Sequence, residues 1–364
     1  MKIRAQLILF SLCLMPLLSE DVKAQIHDFD SLVKHSDEFK HIAKVIGDTL
    51  DLFNDDKILE ITMESDFKNL VKRKFKDEYQ EAVFTLMFND SVRVTRNIKI
   101  KPRGHMRKTT CYIPPLKLNF SKKDAFMKQL QEFDKIKMVL DCKKGNTYEQ
   151  YLLLEYYTYK IQNILTEYSL RARLLKVKYI DTSGKYKEST RFAILLEHID
   201  QLADRLGSIR IETKNIRDLS TDRKTLTDAY LFQYLIGNTD WSIPGMHNIY
   251  MIKSKDPAKL KPYVVPYDFD YAGIINTMYA VPDEQLGTES VRERVYRGVC
   301  LPEADLEKAK ERILKKKQDI YQLIQNDQLL DKRTKQSTIK YLDEFFKIFE
   351  SPKQFTRYIV DSCR

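Results

Sequence analysis

Two short stretches hold residues that could do phosphate and metal chemistry. "GNTDWSIPGMHNIYMIK" (237–253) carries Asp240 and Asn248, and "VVPYDFDYAG" (264–273) carries Asp268 and Asp270. Carboxylates and an amide oxygen gathered near strand ends are what a divalent cation and a phosphate group need. If the strand continues through "YDFD", Asp268 and Asp270 share one face, because alternate residues of a strand do. Two like charges on one face repel, so a bound cation or a Lys has to hold them. Asp240, beside Trp241, reads equally as a turn or helix-cap residue, and His247 reads as structural rather than catalytic.

The elements that must position these residues follow from periodicity. "KILEITME" (57–64) alternates as a strand does, and "DFKNLVKRKF" (66–75) fits a short helix capped by Asp66 or Ser65. "YQEAVFTLMF" and "SVRVTRNIKIK" flank Asn89-Asp90 as two arms flank a hairpin turn. "PPLKLNF" (114–120) and "KIKMVLD" (135–141) are further strands, the first carrying Lys117. "TYEQYLLLEYYTYKIQNILTE" (147–167) repeats its apolar residues at the helical period. "RARLLKVKYID" and "RFAILLEHID" read as strands joined at Ser183-Gly184. Beyond about residue 200, "LTDAYLFQYLIGN" (226–238) is helical, "HNIYMIK" and "YVVPYDFD" form a short strand pair, and 305–325 and 332–349 are charged amphipathic helices. The basic stretch "SVRERVYRG" (290–298) reads as a solvated helix or, if functional, as a dock for an acidic substrate or a phosphate.

A β-rich half with one long helix, leading into a helical half that opens with Asp, Asn and Asp, is the layout of a protein kinase. Such a site positions phosphates and neutralises their charge with Mg2+, a Lys and a few acids. The eukaryotic signature is absent: Asp240 and Asn248 are eight residues apart rather than five, "DFD" stands where D-F-G would, and there is no G-x-G-x-x-G loop. The chain does resemble an atypical secreted family, the CotH spore-coat kinases. The resemblance rests on four segments in order: "IKIKPRGHMRKTTCYIPPLKLNF" (98–120), "RFAILLEHIDQLADRLG" (191–207), "YLIGNTDWSIPGMHNIYMI" (234–252) and "VVPYDFDYAG". It covers about residues 57–275.

The resemblance implies an α+β, bilobal kinase-like fold with an N-lobe over 57–200 and a C-lobe over 201–364. It implies ATP and Mg2+ or Mn2+ as cofactors. Lys117 would hold the α- and β-phosphates, with Glu155 of the long helix as its partner. Glu197, His198 and Ile199 would be the hinge that meets adenine through backbone. Asp240 would be the general base or would orient the acceptor hydroxyl. Asn248 and Asp268 would bind the metal, with Asp270 a further ligand, and Arg103 and His105 would lie over the phosphates. Bland readings stand beside these: Lys117 as a solvated strand residue, Glu155 as an exposed residue among tyrosines.

The ends and composition bound the setting. "MKIR", the apolar run "LILFSLCLMPLL" (7–18) and "VKAQ", with Val22 and Ala24 at the −3 and −1 positions, read as a secretory signal peptide over 1–24. The apolar run is too short to span a bilayer, and no later segment reaches that length. Residues 25–56 read as a helical leader, and the mature chain is expected outside the cytoplasm, periplasmic or secreted. Of 364 residues, 43% are hydrophobic and 31% charged, as a packed globular chain requires. Loss of 1–24 lowers the formal charge from +10 to +9. That charge is spread along the chain, so it suits an acidic acceptor, a protein or small molecule, better than nucleic acid. Cys111, Cys142, Cys300 and Cys363 remain; export and their distribution between the halves favour pairs 111–142 and 300–363. Three functions fit: an exported phosphotransferase, with nucleotidyl transfer as a variant; a non-catalytic kinase-like binding module of the cell envelope; and a structural protein binding Ca2+ or Mg2+ through "DFD". The scarcity of ATP outside the cytoplasm favours the second, and the full set of Lys, Asp, Asn and Asp favours the first.

Overall fold

In the computed structural model, which describes residues 52–53, 55–87, 93–120 and 134–364, period-two alternation turns seven segments into one closed barrel. Its strands are β1 (Leu59–Ser65), β2 (Gln80–Met87), β3 (Arg93–Pro102), β4 (Leu116–Asn119), β5 (Lys135–Leu140), β6 (Ala172–Asp181) and β7 (Ser189–Leu196). They run in the order β1-β2-β3-β4-β5-β7-β6, and β6 closes the ring by pairing in parallel with β1. Closure leaves no unpaired strand edge. One face of every strand fills the barrel with apolar side chains, among them Met63, Ile100, Leu116, Met138, Leu175 and Ala193. The alternate residues point outward, so Lys117 and Lys137 lie outside while Leu116, Leu118, Ile136 and Met138 lie inside. The kinase-like expectation did not include a closed barrel.

Helix α1 (Phe67–Lys72) starts where expected, with the Asp66 carboxylate accepting from the Asn69 N–H at 2.8 Å. Helix α2 (Met106–Thr110) is a single short turn after β3. Helix α3 (Asn146–Leu165) lies against the outer face of β6 and β7. Its Leu152, Leu153, Tyr159 and Ile161 belong to a core shared with everything that follows.

The second half is mostly helical. Helix α4 (Ile199–Arg205) leads to β8 (Ser208–Ile211), helix α5 (Arg223–Ile236), β9 (Ile249–Ser254) and β10 (Tyr263–Pro266). The three strands form an antiparallel sheet in the order β10-β9-β8. Helices α6 (Glu303–Lys315), α7 (Lys317–Gln325), α8 (Lys332–Glu350) and α9 (Pro352–Phe355) complete the chain. Among the described residues no helix is long and apolar enough to cross a membrane.

Gly237 ends α5 in the left-handed region at φ 64°, and a Cβ there would stand 2.0 Å from the Tyr341 hydroxyl oxygen. Conformation and space both demand glycine, so the helix stops and the chain turns into the loop that carries Asp240.

Three expectations need correction. Residues 305–325 form two helices, broken at Lys316, rather than one. Residues 290–298 are not a solvated helix: the segment is mostly irregular, and Arg294 is buried against the Tyr341 ring at 3.5 Å, with its Nη2 donating to the Tyr341 carbonyl at 2.6 Å. "EHID" does not extend β7, since His198 caps α4 instead. The proposed signal peptide, nearly all of the leader and the Asn89-Asp90 turn lie outside the described residues. Met87 and Arg93 nevertheless pair across β2 and β3, and Leu52 and Phe53 pack into the barrel core.

Both cysteine pairs close as their distribution indicates, 111–142 and 300–363, with Cα atoms 4.4 and 4.8 Å apart. The first joins the end of α2 to the end of β5. The second closes a loop across 63 residues and ties the C-terminus to the segment after Arg297. We expect the double variant Cys300→Ser/Cys363→Ser to lose about 2–5 kcal/mol of stability in urea unfolding. A thiol titration of residues 25–364, unfolded without reductant, should find no free thiol; two would contradict one pairing and four would contradict both.

Candidate functional site

Asp240, His247, Asn248 and Asp268 meet at one end of the β9–β10 pair. The His247 Nε2 lies 2.6 Å from Asp240 Oδ1. The Asn248 side-chain amide donates to Asp240 Oδ2 at 3.0 Å and to the Asp240 carbonyl at 2.8 Å. Its Oδ1 is the remaining acceptor. The Tyr267 N–H donates to the Asn248 carbonyl at 3.0 Å, which brings Asn248 beside Asp268. The Asp268 N–H donates to the Tyr159 hydroxyl of α3 at 3.0 Å. Met246, Asn248 and Asp268 all have positive φ, at 48°, 52° and 63°. Non-glycine residues held there store strain, and such residues gather at functional sites.

That left-handed turn at Asp268 overturns the expectation that Asp268 and Asp270 share a strand face. The strand ends at Pro266. Phe269 is buried between Tyr159 and Phe232, with ring centroids 4.7 and 5.4 Å away. Asp270 turns inward, where its Oδ2 accepts from Arg107 Nε at 2.7 Å. Arg107 Nη2 also donates to Glu155 Oε2 at 2.5 Å. Glu155 is therefore neither exposed nor the partner of Lys117; it is 2% exposed and paired with an arginine. Asp270 is committed to the same arginine, which removes it as a ready metal ligand and removes the "DFD" pair needed for a structural cation site. One guanidinium serves two carboxylates. Burial, against the pull of Arg107, pushes Glu155 up to about 7 and raises Asp270.

It is Lys137, rather than Lys117, that Asp268 acts on electrostatically. Lys137 donates from Nζ to the Tyr250 hydroxyl and lies 4.9 and 4.7 Å over the Tyr250 and Tyr267 rings. Those rings stack on each other at 3.9 Å. Burial lowers Lys137 to about 7, with Arg103, Arg210 and Lys117 acting the same way and Asp268 opposing them. Lys117 is its direct cross-strand neighbour, and Lys101 is the next in the row. Burial and then Lys101 lower Lys117 too. Like charges opposite one another across strands repel; Lys101 is already met by Asp77 at 2.6 Å. Arg103 stands beside this row, with its N–H donating to the Pro115 carbonyl at 2.7 Å. His105 is exposed at the start of α2 and caps nothing.

Glu197 is tied up as a structural residue. Its N–H donates to the Arg171 carbonyl at 2.9 Å, and its carboxylate accepts from the Arg171 N–H and from Arg205. The His198 N–H donates to the Gln201 side chain at 3.1 Å. Two of the three hinge amides are thus engaged within the protein.

Residues outside the sequence expectations also shape the site. Arg297 donates to the carbonyls of Thr239 and Trp241, and so braces the Asp240 loop from the 290–298 segment. Lys137 shares its alternating pattern with Lys117, and periodicity alone could not choose between them. Among the described residues no group of three or more His, Cys, Asp or Glu could hold a metal ion. A divalent ion here would take Asp268 and Asn248 Oδ1 from the protein and its other ligands from phosphate and water, a donor set that suits Mg2+.

No protein-family model matches the chain, and no curated protein matches it. Among solved structures it is similar to a Helicobacter pylori proinflammatory kinase, CtkA. The two are 12% identical, with a TM-score of 0.32, over 80% of this chain and 92% of that one.

The buried arginine generates a prediction. Arg107→Met should cost about 3–5 kcal/mol, because it leaves two buried acids without their cation. Both acids would then have folded-state values raised above their unfolded ones. Their protonated forms favour the fold, so the loss should shrink as pH falls from 8 towards 5. Urea unfolding at the two pH values measures this, and an equal loss at both would refute it.

Proposed function

We propose that the junction of barrel and helical half binds a nucleoside triphosphate with a divalent metal, and that the chain is a kinase-like phosphotransferase. In this reading the barrel and α3 are the N-lobe (57–200), and the sheet and helices are the C-lobe (201–364). The observation that carries it is the meeting of two chemistries. Lys137 on the barrel, with Arg103 and Lys117 acting on it, comes within electrostatic reach of Asp268, which lies beside Asn248 and its partner Asp240. The bases suit phosphate oxygens; the acids and the amide suit a metal and an acceptor hydroxyl.

Lys137 would hold the phosphates, taking the role first given to Lys117, with Lys117 and Arg103 beside it. The metal would neutralise phosphate charge between Asp268 and Asn248. Asp240, oriented by Asn248 and His247, would accept or direct the proton of the acceptor hydroxyl of a protein or small molecule. The two disulfides suit an oxidising, extracytoplasmic setting.

A second reading is a non-catalytic kinase-like module that binds a ligand or an envelope partner. It is favoured by Asp240, whose two oxygens are already engaged by His247 and Asn248, and by the diversion of Asp270 to Arg107.

Calorimetry with ATP and Mg2+ or Mn2+, alongside labelled-phosphate transfer, separates the two. Asp268→Ala should abolish metal-dependent nucleotide binding and transfer. Asp240→Ala should keep binding and lower the transfer rate by ~10²–10⁴-fold, since a base acts in the transition state. Wild type that binds no nucleotide with any divalent metal would end the enzyme reading. Wild type that binds but transfers nothing would favour the binding module.

The depressed lysine gives an independent readout. At pH 8 a group lowered to about 7 is mostly neutral. A bound triphosphate favours its charged form, so binding should take up protons. Calorimetry at pH 8 in two buffers of different ionisation heat should show uptake in wild type and its loss in Lys137→Met. The same uptake in both would place the titrating group elsewhere.

A further inference from the structure

A pocket of about 570 Å3 opens where the β6–β7 hairpin meets α1 and the Cys111–Cys142 disulfide. It shares no residue with the site above. Ala172 pairs with Leu196, which in turn pairs with Lys137, whereas Tyr179 lies seven residues further along β6. At about 3.3 Å per residue the two sites are roughly 23 Å apart. The volume falls in the range of small-molecule sites, and barrel mouths are favoured places for them.

Two buried donors in its wall lack partners. Tyr179 is 5% exposed and its hydroxyl has no hydrogen bond. Arg191 is held by Asp141, with Nη1 2.9 Å from Oδ2, and sits 5.8 Å over the Tyr179 ring; its Nε has no partner either. Asp141 Oδ1 is also without a partner, so the cluster holds two unmet donors against one unmet acceptor. Buried polar groups are almost always satisfied, and the surplus of donors suits a further acceptor. Lys74, Lys144 and Lys187 add positive charge around them. One carboxylate, Asp181, also lines the pocket and is held in its charged form, so it offsets one of the three lysines and leaves the lining net positive. Its oxygens accept from Phe67, Ser183, Lys185 and Tyr186. Tyr112 and Tyr186, edge to face at 5.6 Å, supply an aromatic wall.

We propose that this pocket binds a small organic anion in which a flat ring carries a phosphate: the ring against Tyr112 and Tyr186, the phosphate on Tyr179, Arg191 and the lysines. The proposal is independent of the function assigned to the junction.

The test is calorimetry of the full chain with phenyl phosphate, with inorganic phosphate and benzoate as comparison ligands. Phenyl phosphate should bind at one site per chain, more tightly than either. The exposed pair Lys144→Glu/Lys187→Glu should weaken it at least tenfold. Tyr179→Phe, which removes only an unpaired hydroxyl and so should not harm folding, should weaken it roughly tenfold. Lys137→Met should leave it unchanged. Absence of saturable binding, inorganic phosphate binding as tightly as phenyl phosphate, or sensitivity to Lys137→Met but not to the pocket variants would each overturn the proposal.

Discussion

Arg107 holds together three parts of the chain that sequence separates widely. It leaves the barrel on the single turn of α2, meets Glu155 from α3, and meets Asp270 from the segment after β10. A guanidinium buried to 8% exposure has no water to fall back on. Its two carboxylates must therefore stay in place, and so must the elements that carry them. The planar fork can serve two acids at once, which a lysine ammonium does less well. The orientation of the "YDFD" turn follows: Asp270 is drawn inward, Phe269 is sealed into the aromatic core, and Asp268 is left at the junction in a left-handed conformation.

The Asp240 loop is held by a different device. Gly237 ends the helix, Asn238 accepts from the Asp240 N–H at 3.0 Å, and Arg297 donates to two carbonyls of the loop. The segment bearing Arg297 is fixed in turn by the Arg294–Tyr341 contact and by the Cys300–Cys363 disulfide. The C-terminal helices thus reach the site indirectly, by bracing the backbone that presents its acids. This is the support a precise constellation needs when it sits on a loop rather than on a strand or helix.

Much of the local structure was legible because its causes are local. Alternation placed the seven barrel strands, the 3.6 period placed α3, α5 and α8, and Asp66 capped α1 as its position suggested. The cysteine pairs followed from their distribution. The 290–298 segment was misread because its arginines look like a solvated charge run. Nothing in "SVRERVYRG" announces that Arg294 will lie on a buried tyrosine ring contributed by a helix some forty residues later.

Residue type and order alone established that acids, an amide and basic strands were present in one chain, in an order that resembles a kinase-like family and raised the expectation of phosphate chemistry. They did not decide which of those groups meet. Lys117 and Lys137 are equivalent in alternation, and only packing against Tyr250 and Tyr267 sets Lys137 within electrostatic reach of Asp268. Asp268 and Asp270 are equivalent on an extended strand, and only a positive φ and a distant arginine separate them. Glu155 is one polar residue among many on its helix until Arg107 arrives from 48 residues upstream. Periodicity reports which face a residue occupies; the charge across from that face is supplied by tertiary structure, because Coulomb and hydrogen-bond partners are chosen by distance in space.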